Sequence, residues 1–164
     1  MQLGDILTEQ TGLPCVSHPV KFSLIKRTAD GVKRYTIQAL LYPVSEHDRL
    51  ESERAAMLGL RKSTEYKKTE TGELPPIPAD VLLHERVLRF LQKALHCDDE
   101  PDTKLIGEKD YLTFRAGIVH EQVNWLWEQY KAFVTKEYSE LLPESLSEEA
   151  EKNSEADHSE RGNS

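Results

Sequence analysis

Only two cysteines, Cys15 and Cys97, occur in the 164 residues, far apart and without the density of a disulfide scaffold. Two structural thiols in a reducing compartment is the plain reading. There is no Cys-x-x-Cys and no His-x-x-x-His, so the usual zinc spacings are missing. The eight glycines are scattered singly. None builds a phosphate-cradling loop, a Gly-Lys-Ser/Thr sequence or the Gly-x-Ser-x-Gly elbow of a serine nucleophile. No run approaches the ~18 apolar residues of a membrane-spanning helix. The start, Met1 to Asp5, has no basic region followed by an apolar run, so it does not read as a signal peptide. Positive charge is also scarce: 21 Lys and Arg stand against 29 Asp and Glu, for a net charge of −8. A nucleic-acid binder needs a basic face. The basic pairs Lys26-Arg27, Lys33-Arg34, Arg61-Lys62 and Lys67-Lys68 read as solvated surface. The expectation is a soluble cytoplasmic protein with no cofactor, no metal, no nucleic acid and no membrane.

What the chain does have is a concentration of aromatics. Tyr111, Phe114, Trp125, Trp127, Tyr130, Phe133 and Tyr138 are seven of its twelve, and no proline interrupts the stretch before Pro143. It reads as one long helix over 110–142. Its apolar positions cover roughly two thirds of the circumference. One stripe runs through Tyr111, Phe114, Ile118 and Trp125; a second runs through Leu112, Val119, Val123, Leu126, Trp127, Tyr130 and Val134. A helix on a small core needs a stripe of only ~100°. The first stripe is the better complement to a sheet face. The second is therefore the candidate partner surface, with Trp127, Tyr130, Val123 and Val134 as its binding residues. Internal packing of the same side chains against the hairpin and the neighbouring helix is the competing reading.

The remaining pattern predicts an α+β fold: an N-terminal antiparallel hairpin packed with helices, within one domain over 1–142. Asp30-Gly31 favours a two-residue type I′ turn in a hairpin over 20–42. That turn places Val20 opposite Leu41, Phe22 opposite Ala39 and Leu24 opposite Ile37, all on one face, with Lys21, Ser23, Thr36 and Gln38 pointing away. Ser45 caps a helix over 45–60, whose thin stripe of Leu50, Met57, Leu58 and alanines puts it on the surface of the sheet. A polar loop over 61–79 holds a Thr71-Gly72 turn signal and Pro75-Pro76-Ile77-Pro78. Asp80 caps a helix over 80–96 with Leu83, Val87, Leu91 and Leu95 on its apolar face. Gly117, inside the aromatic helix, either permits a close helix approach or is simply tolerated. Beyond Pro143 the composition turns acidic: seven acids against Lys152 and Arg161, with no aromatic. Such a segment cannot bury enough apolar surface to offset its ordering entropy, so 143–164 is expected to be a disordered tail.

Reactive chemistry finds little support. His84-Glu85 and His120-Glu121 are adjacent pairs, which diverge by about 100° on a helix. An enzyme would need residues remote in sequence, such as His84, His120 and Glu121, brought into one pocket. Cys97 stands beside His96, but a helix C-terminus followed by Asp98, Asp99 and Glu100 raises a thiol pKa. No catalytic residue is assigned.

The segment Val20-Lys21-Phe22-Ser23-Leu24 through Tyr35-Thr36-Ile37-Gln38-Ala39-Leu40, then Tyr42-Pro43-Val44-Ser45 and a charged helix, resembles the opening of phage tail assembly chaperones. Leu82 to Val87, Ile106 to Tyr111, Phe114 and Trp125 to Tyr130 resemble their helical half. The resemblance spans about 20–140 and rests on hydrophobic pattern and element order. It implies a non-enzymatic chaperone, in the host cytoplasm of a phage or prophage, that coats the helical tape-measure protein during tail assembly. The tail-tube protein and a second copy of the chain are further candidate partners. The alternative is a small structural or adaptor protein, either a virion component or a host interaction module.

Overall fold

The computed structural model describes residues 2–8 and 15–139. The acidic tail over 143–164 lies outside the described residues, as does the end of the helix expected over 110–142. The order is α1 (Leu3–Thr8), β1 (His18–Thr28), β2 (Gly31–Leu41), α2 (Glu46–Lys62), α3 (Ala79–Ala94), β3 (Leu95–Cys97), a 3-10 turn at Glu108–Asp110, α4 (Tyr111–Gly117) and α5 (His120–Glu137). This is an α+β fold with a three-stranded antiparallel sheet in the order β1-β2-β3.

The hairpin forms with its apolar face as expected but in a different register. Val20 pairs with Ala39, Phe22 with Ile37 and Leu24 with Tyr35, and the strands close at Thr28 opposite Gly31. The connection is thus Ala29-Asp30, two residues short of the expected pairing. A type I′ turn needs positive φ at both central residues. Here the only positive φ in the turn belongs to Gly31, at 117°. Because side chains alternate with period two, a shift of two changes every partner and leaves both faces intact. Ser23 departs from the expected outward pattern: it is buried, its amide donating to the Gln122 carboxamide oxygen at 2.8 Å.

Ser45 caps α2 as expected, its hydroxyl accepting from the Asp48 amide at 3.2 Å. The helix lies against α3, not on the sheet, and buries the small face of Ser52, Ala56 and Leu60. Leu50, Met57 and Leu58 stay exposed. The following loop is tied down by Arg61, whose guanidinium donates to the carbonyls of Tyr66 and Pro75. Asp80 does not cap α3: Pro78 occupies that position without a side-chain bond. The helix also ends earlier than expected, since Leu95, His96 and Cys97 pair with Leu41, Leu40 and Ala39 as β3. Its buried apolar face is centred on Leu88, Leu91 and Ala94, while Leu83 is exposed.

The expected single aromatic helix is two helices. Ile118 and Val119 adopt extended backbone between α4 and α5. Both are β-branched, and Ile118 forms an antiparallel bridge with Leu24 at the outer edge of β1. Gly117 permits that docking. A Cβ there would sit 3.1 Å from the Ile25 carbonyl oxygen, so the close approach is to a strand, not a helix. One core results, in which Val20, Phe22, Ala39 and Leu41 of the sheet meet Leu88, Leu91, Phe114, Val123, Leu126 and Phe133 of the helices. Among the described residues, no helix is long and apolar enough to cross a membrane.

Candidate functional site

The break at Ile118 redirects α5 and splits both expected stripes: Tyr111 and Phe114 of the first are buried in the core while Trp125 is exposed, and Val123, Leu126 and Tyr130 of the second are buried while Leu112 is exposed. Val123 is 1% exposed and Tyr130 is 8% exposed, both within the core. Trp127 and Val134 are half-buried against the same core. Tyr130 accepts a hydrogen bond from the Val44 amide at 3.0 Å, and Phe90 sets its ring edge-on to both Trp127 and Tyr130. Burial holds the Tyr130 phenol above its ordinary pKa. Of the four residues assigned to a partner, Val123 and Tyr130 are occupied by their own chain, while Trp127 and Val134 keep part of their surface accessible. Trp125, assigned to the sheet, is instead 43% exposed. A straight helix would have kept Trp125 in phase with Tyr111 and Phe114; two extended residues destroy that phase.

The structure also gathers polar residues that sequence reasoning passed over. Glu85, Arg89 and Gln92 are all buried on α3. Their i, i+4, i+7 spacing puts them on one face, which was the available signal. Glu85 accepts from the Tyr111 hydroxyl at 2.6 Å and from Arg115 Nε at 2.8 Å. The Arg89 guanidinium lies 3.5 Å from the Tyr111 ring centre and donates to Gln92 and Glu108. Burial, reinforced by the Glu85 carboxylate, drives the Tyr111 phenol far above its ordinary pKa. The hydrogen bond from Arg89 holds Glu108 below the usual carboxylate range, and the bond to Glu85 raises Arg115 further. A carboxylate engaged by a phenol and a guanidinium has little lone-pair capacity left for a substrate proton. The cluster fastens α3 to α4; among the described residues only Arg89 Nε is a buried side-chain polar atom without a partner.

His84 and His120 do come together, with ring centres 5.2 Å apart. Burial, and then the neighbouring His120, lowers the His84 pKa. Glu121 is exposed on α5 and contributes no third group to that pair. The one grouping of three potential metal ligands among the described residues is His47, Asp48 and Glu51 on α2. His47 and Glu51 are exposed and Asp48 is half-buried, and the two carboxylates already face Lys104 and Lys93, at 3.8 and 2.9 Å. Cys97 lies in β3, not at a helix terminus. Its thiol pKa is raised, first by burial and then by Asp99, Glu100 and Asp98.

A cleft of about 1040 Å³ opens between the outer half of the hairpin and α4. Leu24, Tyr35 and Ile37 form its floor on the sheet side; Leu112, Ala116 and Ile118 form the opposite wall. Its lining is mainly hydrocarbon, and Leu112 on its rim is 72% exposed. No match was found among protein-family models, curated proteins or solved structures.

Proposed function

We propose that the protein is a non-enzymatic assembly chaperone that binds a helical partner, the tape-measure protein of a phage or prophage tail. The observation that carries the reading is the apolar cleft between the hairpin and α4, which no described segment of the chain fills. This reading takes the cleft as the partner surface in place of Val123 and Tyr130, which are buried in the core, and of Trp127 and Val134, which are half-buried against it. The order of elements also supports it: a strand pair, a serine-capped charged helix and a helical half, as in the resemblance drawn from the sequence.

The test is whether a long helical protein is encoded beside this chain, as the reading expects, and co-expression of the full chain with that protein, followed by purification through a tag on the latter. The expected result is a soluble complex, and absence of the chain from purified virions. If the chain is instead present in mature particles, it is a structural subunit. If it neither binds the neighbouring product nor lies beside tail genes, the chaperone reading fails.

A further inference from the structure

The cleft has an electrostatic end as well as an apolar floor, and both follow from strand alternation. The face that carries Val20, Phe22, Ala39 and Leu41 continues outward along the hairpin as Leu24, Ile37 and Tyr35, then Lys26 and Lys33. The inner part is covered by helices. The outer part is covered only at Leu24 and Ile118, so the face runs on past the helical layer.

Lys26 and Lys33 are paired directly across the two strands. Like charges placed opposite one another destabilise a hairpin. Arg27 adjoins Lys26 along the cleft, whereas Arg34 belongs to the opposite face and donates to the Ser23 hydroxyl at 3.2 Å, and Asp30 is the only acid between Ile25 and Thr36. Among the described residues none of the four cations forms an ion pair. A chain of net charge −8 thus concentrates unneutralised positive charge at the mouth of its apolar cleft.

We propose that this cleft receives an amphipathic helix of a separate protein, its apolar stripe on Leu24, Tyr35, Ile37 and Leu112 and its carboxylates over Lys26 and Lys33. The proposal rests on the binding-module reading above and specifies the chemistry of the partner. A helix is about 10 Å across and presents apolar residues every third or fourth position, which suits a groove walled by a strand pair and a helix. The chain's own acidic segment over 144–164 matches the charge, but its apolar residues are only Leu146, Ala150 and Ala156. In a second copy, the exposed Leu50, Met57 and Leu58 share their surface with Arg54 and Lys62, which would meet like charge.

The test uses the isotope-labelled full chain and a synthetic amphipathic helix of about four turns with a leucine stripe and three glutamates at one end. The expected result is binding with amide shifts confined to Leu24–Lys26, Lys33–Ile37 and Leu112–Ile118. Replacing the glutamates with glutamine, or introducing Lys26→Glu with Lys33→Glu, should weaken binding by about tenfold. Leu112→Asp should abolish it. All three substituted positions are exposed, so the fold is retained and thermal midpoints serve as the control. No binding, shifts elsewhere, or indifference to Lys26 and Lys33 would overturn the proposal. So would a concentration-dependent dimer with shifts in the cleft, which makes a second copy the occupant. Shifts there when Glu144, Glu148, Glu149 and Glu151 become glutamine would assign the cleft to the chain's own tail. If the tape-measure protein co-purifies with the Leu112→Asp variant, the cleft assignment fails while the chaperone reading stands. If the peptide binds and the tape-measure protein does not, the reverse holds.

Discussion

Leu24 on β1 and Ile118 between α4 and α5 face each other as an isolated antiparallel bridge. With the Ser23 amide bound by Gln122, this pairing closes part of an otherwise open sheet edge. Open strand edges invite pairing with other chains, so the chain break serves the sheet as much as the helices.

Gly117→Val should therefore destabilise the protein, although valine is ordinarily a better helix residue than glycine. Its Cβ would crowd the Ile25 backbone, which cannot yield without moving β1. Overpacking of this kind costs about 1–3 kcal/mol. Chemical denaturation would measure it; an unchanged midpoint would mean that α4 does not press on β1.

Gly31→Val should cost about 1–3 kcal/mol, because a β-branched residue is strained at positive φ. The turn residue before it has no such restriction. Asp30→Ala should accordingly be nearly neutral, whereas a type I′ turn would lose stability at both positions. Paired denaturation curves separate these outcomes.

Tyr130→Ala should destabilise the fold by about 3–5 kcal/mol, the range for a buried aromatic. Trp125→Ala, at an exposed site, should shift stability by less than about 1 kcal/mol. Comparable losses at both positions would contradict the placement of α5.

Alkaline pH should unfold the protein through its buried phenols. The folded-state pKa of Tyr111 lies above its unfolded value, raised first by burial and then by Glu85. Its contribution is thus fully present below about pH 10, the unfolded value, and is lost as pH rises towards the folded value. Tyr130 acts in the same direction. Tyr111→Phe should lower stability at neutral pH by about 1 kcal/mol, through the bond lost to Glu85. It should also flatten the decline above pH 10. An equally steep decline in this variant would rule out Tyr111 as its source.

His84 gives the opposite dependence. Burial and His120 hold its folded pKa below the unfolded value, so its stability is present above about pH 6.5 and falls as pH drops. Replacement by glutamine should reduce the acid loss, as read from thermal midpoints across that range.

Much of the architecture was legible before any coordinates. The alternation of Val20, Phe22 and Leu24 with Lys21 and Ser23 assigned the faces of β1, and Ser45 marked the start of α2. Local chemistry suffices for both, because side-chain direction and capping depend on neighbours a few residues away. The Glu85, Arg89 and Gln92 stripe was also present in the spacing, but its meaning required Tyr111, Arg115 and Glu108 from another part of the chain.

Composition and periodicity thus determined the α+β class, the apolar face of the hairpin and the start of α2. Tertiary structure alone decided the hairpin partners, the break at Ile118 and which aromatic side chains of each stripe would be buried. The physical reasons differ. A two-residue register shift preserves the pattern of faces, and a helix can turn extended wherever a strand edge offers its backbone a better partner. The helix break is decided by a contact between segments about a hundred residues apart, Leu24 and Ile118, which no local window contains, whereas the register is decided between adjacent strands by a turn whose alternatives share one pattern of faces.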